Sequence, residues 1–316
     1  MFIDKLVENI RQKGNPSILG LDPRLEYVPT FIKEKVFREI GNGLAGAAEA
    51  IKIFSRRLID SVYDISPAIK LQLACYEMFG HEGLKTFEDT VSYAKSKGML
   101  VVADGKKNDI GSTAENYSAA FLGRIEFQDG RKIPVYDVDA LTVNPYLGSD
   151  GIKPFIEDCR KYKKGIFVLI KTSNPSSGEI QDCRLNDGRS LFEVVAGYVR
   201  EWGNTLMGKY GYSSVGAVVG ATYPTEAEII RKIIEKSYIL VPGYGAQGGS
   251  ARDVVRAFNK DGLGAIVSAS RSLMCAYKSE KWANMYGEEA FDDACRAEAI
   301  RMRNDIENAL NDYLKG

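Results

Sequence analysis

Leu100-Val101-Val102-Ala103-Asp104-Gly105-Lys106-Lys107-Asn108-Asp109-Ile110-Gly111-Ser112-Thr113 is an apolar run that passes without a break into a row of charges. Its β-branched start reads as a buried strand, Leu100–Asp104, ended by the glycine. Residues two apart on a strand share a face, so Asp104 and Lys106 point the same way. A charge run after a strand is usually a solvated loop. Asp104, however, stands where an inward-facing residue belongs, and a charge there is costly unless paired. A partner is at hand in Lys70, near the end of the apolar run Ser66-Pro67-Ala68-Ile69-Lys70-Leu71-Gln72.

Working outward, short apolar runs of the same kind recur, each followed by a longer segment of helical period. They are Ser17–Leu21, Ala68–Gln72, Leu100–Asp104, Ala140–Val143, Ile166–Ile170, Val215–Gly220, Ile239–Val241 and Ala265–Ser268. Eight βα units in series predict an α/β fold, a single (β/α)8 TIM barrel domain over residues 1–316 with extra N- and C-terminal helices. An open doubly wound sheet is the alternative. Residues Gly123–Asp139 read as an insertion, Glu288–Leu314 as an added helix. Ser112-Thr113-Ala114-Glu115 and Thr225-Glu226-Ala227-Glu228 both read as capping boxes. In such a barrel chemistry gathers at the C-terminal ends of the strands, which is where Lys70, Asp104 and Lys106 fall.

Composition narrows the chemistry. Forty-two basic residues balance forty-two acidic ones, so no global field recruits nucleic acid or anionic lipid. An anionic ligand must be held locally. Five cysteines, at 75, 159, 183, 275 and 295, form no CxxC pair and suit a reducing compartment, so a cytoplasmic protein is expected. The opening MFIDKLVENIRQKG reads as an amphipathic helix rather than a signal peptide, and no run is long and apolar enough for a membrane span. His81 is the single histidine and lies away from the motifs, which nearly removes Ser-His-Asp triads and histidine metal sites. Acid–base work falls to carboxylates and lysines, with no metal expected.

A second motif closes the chain of strands. Leu240-Val241-Pro242-Gly243-Tyr244-Gly245-Ala246-Gln247-Gly248-Gly249 follows the seventh strand, and Ser268-Ala269-Ser270-Arg271 ends the eighth. Glycines let backbone N–H groups approach an anion, arginine offers a planar fork, and this corner of a barrel commonly holds phosphate. Gly243, Gly245 and Gly248 also match a dinucleotide-binding GxGxxG, but late in the chain and without an acidic residue after the next strand. A purely structural turn is the other reading, against which Gln247 and Arg271 argue together.

Asp104-x-Lys106-x-x-Asp109-Ile110-x-x-Thr113 after an apolar strand resembles the signature of orotidine 5′-monophosphate decarboxylases. The likeness runs from about Gly20 to Arg271, and Thr142-Val-Asn-Pro-Tyr-Leu-Gly and Lys171-Thr-Ser-Asn-Pro-Ser resemble the longer bacterial branch. The resemblance implies that Lys106 protonates C6 of the pyrimidine, that Asp104 faces the departing carboxylate, and that Lys70 anchors Asp104 and contacts the ribose. Asp22 would hold a ribose hydroxyl and Ser173 would read the pyrimidine amide. Gln247 and Arg271 would bind phosphate beside Gly245, under a loop that begins at Pro242. Asp109, Ile110 and Thr113 would reach into a neighbouring subunit's site, which implies a homodimer. Gly105 stands where a small alanine is expected, and Gln72 at a position open to variation; neither removes a catalytic group.

The resemblance further implies a cofactor-free reaction in pyrimidine synthesis, with a preorganised field stabilising charge at C6. A 3-keto-L-gulonate 6-phosphate decarboxylase shares the Asp-x-Lys-x-x-Asp pattern but uses magnesium and a glutamate where this chain has Lys70. A catalytically silent barrel that only binds a pyrimidine nucleotide is the non-enzymatic alternative.

Overall fold

The computed structural model describes residues 1–245 and 248–315. Eight parallel strands close into a barrel: β1 (Ser17–Leu21), β2 (Ala68–Gln72), β3 (Leu100–Lys107), β4 (Ala140–Val143), β5 (Gly165–Lys171), β6 (Ser213–Val219), β7 (Ser237–Pro242) and β8 (Ala265–Ala269). Each strand pairs with its sequence neighbours, and β8 returns to β1. That closure excludes the open sheet. All eight expected strands form, with ends shifted by a few residues.

Alternation sorts each strand between two cores. Leu19, Ile69, Val101, Leu141, Val168 and Val267 face outward and pack under the helices. Ile18, Ala68, Leu100, Ala140, Phe167 and Ile266 face inward and fill the lower barrel. The amphipathic helix Phe2–Lys13 caps this floor with Phe2, Ile3 and Leu6, all buried. Phe2 fits because position 165 is glycine: a Cβ there would sit 2.3 Å from the Phe2 ring. With its lower half plugged, the barrel can open only at the C-terminal ends of the strands.

The added C-terminal helix is Phe291–Lys315, preceded by a short turn at Glu288–Ala290. Phe291 stacks on Phe54, and Arg57 grips Asp292 through Nε and Nη2. Residues 123–139 do form an insertion, with a small antiparallel ribbon pairing Ile125–Glu126 with Lys132–Ile133. Neither expected capping box forms. Pro224 takes the first helical position, which suits its fixed φ, so that helix starts before Thr225. The helix Gly111–Phe121 likewise starts ahead of Ser112, after Ile110. Capping boxes form instead at Ser190/Glu193 and Ser250/Asp253.

Candidate active site

Above the plugged floor the inward positions turn polar. Lys70 and Gln72 continue the face of Ala68, Asp104 that of Val102, and Thr142 that of Ala140. Gln72 and Asp104 are direct register partners on β2 and β3. Asp104 therefore receives donors from three adjacent strands. Its Oδ2 accepts from Gln72 Nε2 at 2.9 Å and Lys70 Nζ at 3.3 Å. Its Oδ1 accepts from Lys106 Nζ at 2.7 Å and Thr142 Oγ1 at 2.9 Å. Lys70 Nζ also lies 2.9 Å from Asp22 Oδ1, just past β1.

Two ammonium groups and two carboxylates thus alternate along one rim. Burial alone would raise the Asp104 pKa, but Lys70 and Lys106, with hydrogen bonds from Lys106 and Thr142, outweigh it and hold the group at about 2. Burial would likewise strip Lys70 of its proton, yet Asp22 and Asp104 keep its pKa above the ordinary lysine value. Both stay charged at neutral pH, which a desolvated pair permits only because each group is multiply partnered. Exposure divides the labour: the Lys70 side chain is 4% exposed, that of Lys106 45%. Lys70 is a fixed post, and Lys106 can reach a ligand.

Lys106 owes its direction to backbone geometry. Strand β3 runs on to Lys107, with a register irregularity between Ala103 and Lys107, and Lys106 takes φ 47. Bulges and left-handed non-glycine residues cost energy and recur where a side chain must be re-aimed. Here Thr142 Oγ1 accepts the Lys106 backbone N–H at 2.9 Å and secures the bend. Lys107 turns away to Glu77 and the Tyr117 ring. At Gly105 a Cβ would meet nothing closer than 3.4 Å, so the expected alanine would fit.

The quartet forms one wall of a cavity of about 760 Å³. Ser173 after β5, Pro242 at the end of β7 and Arg271 after β8 line other parts of it. Position 220 must be glycine for Ser173 to sit there, since a Cβ would come within 2.8 Å of Ser173 Cα. The loop after β7 turns through Gly243 at φ 101 and Gly245 at φ 73. Tyr244 lines the cavity and hydrogen-bonds Asp305, so the C-terminal helix braces this loop. Gly245 is exposed beyond the lining residues, and Gln247 lies outside the described residues. Cys75 also lines the cavity, but burial, with Asp22 nearby, pushes its thiol up to about 11, so it is no nucleophile at neutral pH.

Asp109, Ile110 and Thr113 do not line their own chain's cavity. Asp109 is half-buried and its Oδ1 accepts the Ile110 N–H at 2.8 Å. Ile110 is 54% exposed, and Thr113 is exposed. His81 is exposed beside Glu82 and does not line the cavity. Among the described residues no group of three or more His, Cys, Asp or Glu is placed to hold a metal ion, and no helix is long and apolar enough to cross a membrane. Thr142 was not anticipated as a site residue, nor Gln72 as a partner of Asp104. Both were within reach of period-2 alternation, two residues beyond Ala140 and Lys70.

Comparison with known proteins agrees with this architecture. The chain matches the sequence profile of the orotidine 5′-phosphate decarboxylase / HUMPS family over residues 18–286. An orotidine 5′-phosphate decarboxylase of Caldicellulosiruptor saccharolyticus is 44% identical over 278 residues, covering 88% of this chain and 90% of its own. One from Rhodopirellula baltica is 41% identical over 315 residues, covering 100% of this chain and 99% of its own. Among solved structures, Leishmania donovani OMP decarboxylase superimposes with a TM-score of 0.71 at 27% identity, covering 98% of each chain.

Proposed function

The chain belongs to the orotidine 5′-phosphate decarboxylase / HUMPS family, and from that premise we propose that it converts orotidine 5′-monophosphate to uridine 5′-monophosphate and carbon dioxide. The observation that carries this reading is an ionised Asp104 clamped between Lys70 and Lys106 on one wall of the cavity, with Arg271 on another part of its lining. The substrate's phosphate lies towards Arg271 and the glycine-rich turn, with Gln247 assigned there from sequence. Its ribose lies at Asp22 and Lys70, and its pyrimidine edge at Ser173.

In this reading the C6–carboxylate bond breaks, carbon dioxide leaves, and the electron pair stays at C6. Lys106 stabilises that charge and gives C6 a proton. The field is fixed beforehand by the hydrogen bonds on Asp104, so it needs no reorganisation when charge develops. Asp104 faces the outgoing carboxylate and keeps Lys106 aimed through their 2.7 Å contact. Contacts to the remote phosphate supply binding energy for assembling this geometry. Lys70 stands where a magnesium-dependent relative needs an acid, which supports a metal-free reaction.

The catalytic unit is one barrel, residues 1–316, working as a homodimer in which Asp109, Ile110 and Thr113 complete the partner's site. Their position outside their own cavity supports that assignment. Five unpaired cysteines support a cytoplasmic enzyme. The test is an ultraviolet assay with orotidine 5′-monophosphate before and after exhaustive chelation. Turnover should be the same in both, and Lys106→Ala should lose at least ~10²–10⁴-fold in kcat. A chelated enzyme revived by magnesium, or a Lys106→Ala enzyme at a tenth of wild-type kcat, would sink the reading.

A further inference from the structure

Lys171 ends β5 and is used by nothing described so far. Simple alternation from Phe167 and Leu169 would aim it into the cavity. A register irregularity between Leu169 and Lys171 changes the phase: Leu169 pairs with Val218, which lines the cavity, but Lys171 pairs with Val219, which packs in the outer layer. The side chain is thereby sealed at 0% exposure. Its Nζ lies 2.6 Å from Asp182 Oδ1 and 4.4 Å from the centroid of the Tyr223 ring. A buried ammonium is expensive, and well-packed apolar residues often replace such pairs without loss of stability. Stability alone therefore does not account for it.

Lys171 and Asp182 are the two ends of the loop that carries Ser173, Asn174 and Gln181 into the cavity. The pair closes the loop's neck. Inside it, Gln181 Oε1 accepts the Thr172 N–H at 2.9 Å, and Gln181 Nε2 donates to Thr172 Oγ1 at 2.8 Å. Tyr223, from the loop after β6, accepts from Ser177 Oγ at 3.0 Å and donates to the Asn174 carbonyl at 3.3 Å. One ammonium thus touches both the neck of the first loop and the ring that braces it from the second.

We propose that the Lys171–Asp182 pair is a latch, a positioning element that sets Ser173, Asn174 and Gln181 for the nucleobase. It rests on the reading above that this loop meets the pyrimidine. The test compares uridine 5′-monophosphate with ribose 5-phosphate as competitive inhibitors of Asp182→Asn, whose site is half-exposed, and of Lys171→Met, which keeps the buried stem. The inhibition constant for the nucleotide should rise roughly tenfold or more in both variants, while that for ribose 5-phosphate stays within about twofold. If Lys171→Met does not fold, Asp182→Asn decides. An unchanged nucleotide constant, or equal weakening of both inhibitors, overturns the latch. A wild-type enzyme that holds the nucleotide no more tightly than ribose 5-phosphate overturns the base-loop reading itself, and the latch with it.

Discussion

Thr142 Oγ1 lies 2.9 Å from Asp104 Oδ1 and equally far from the Lys106 backbone nitrogen, so one hydroxyl on β4 fixes both the carboxylate and the bend that aims the lysine. Because the hydroxyl donates to one group and accepts from the other, neither contact can be replaced by an apolar atom.

Thr142→Val keeps the shape of the side chain and removes only that hydroxyl. Leaving a buried donor and acceptor unmatched costs about 1–3 kcal/mol, which corresponds to a fall in kcat of roughly five- to 150-fold if it is felt at the transition state. Thr142→Ser should retain most activity. Steady-state kinetics beside a thermal melt will show it; a fully active Thr142→Val enzyme would remove Thr142 from the catalytic geometry.

Asp109 gives a test of subunit sharing. Asp109→Ala and Lys106→Ala homodimers should each be nearly inactive. Mixed and allowed to exchange, half the dimers become hybrids with one intact site of two. Activity should recover towards about a quarter of wild type, assuming random pairing and independent sites in a twofold dimer. No recovery after exchange has been demonstrated, for instance by mass spectrometry, would mean that Asp109 acts in its own barrel.

Acid stability can be probed away from the site. Asp137, in the insertion before β4, meets Lys95 at 2.5 Å, Lys164 at 2.8 Å and Arg124 at 3.0 Å. Burial would raise its pKa, but the hydrogen bonds from Lys164 and Lys95 bring it to about 2. A carboxyl lowered from an unfolded value of about 3.9 stabilises the fold above that pH, and the contribution is lost as pH falls towards 2. Asp137 has φ 52, a conformation asparagine tolerates, so Asp137→Asn changes charge with little added strain. With the side chain 31% exposed, the loss at pH 7 should be about 1–2 kcal/mol. Urea melts at pH 7 and pH 2.5 should show the gap between variant and wild type narrowing to roughly a third at the lower pH. A constant gap would assign the effect to packing rather than charge.

The sequence by itself determined the strands, their order in a βα series, and the identity of the charges at their C-terminal ends; that the sheet closes was decided by the pairing of β8 with β1. Hydrophobic period is a local property, and Ser17–Leu21 or Ala140–Val143 needs no distant partner to be read as buried. It also placed Lys70, Asp104 and Lys106 on one rim, since each falls near the C-terminal end of an inward-facing row. Helix starts were less legible at Thr225, where Pro224 overrode the capping pattern, because capping competes with other local signals for one position.

What only the tertiary structure decided is which group each lysine side chain meets. Lys70, Lys106, Lys107 and Lys171 all stand near strand ends, and beyond the shared face of Asp104 and Lys106 spacing names no partner for them. Register irregularities in β3 and β5 separate them: Lys106 bends to Asp104, Lys107 turns to Glu77, and Lys171 is sealed behind the barrel against Asp182. A bulge shifts the phase of alternation by an amount set by pairing with the neighbouring strand, so it is not written in either strand alone. The donors on Asp104 come from β2, β3 and β4 together, and that convergence exists only once the strands are side by side.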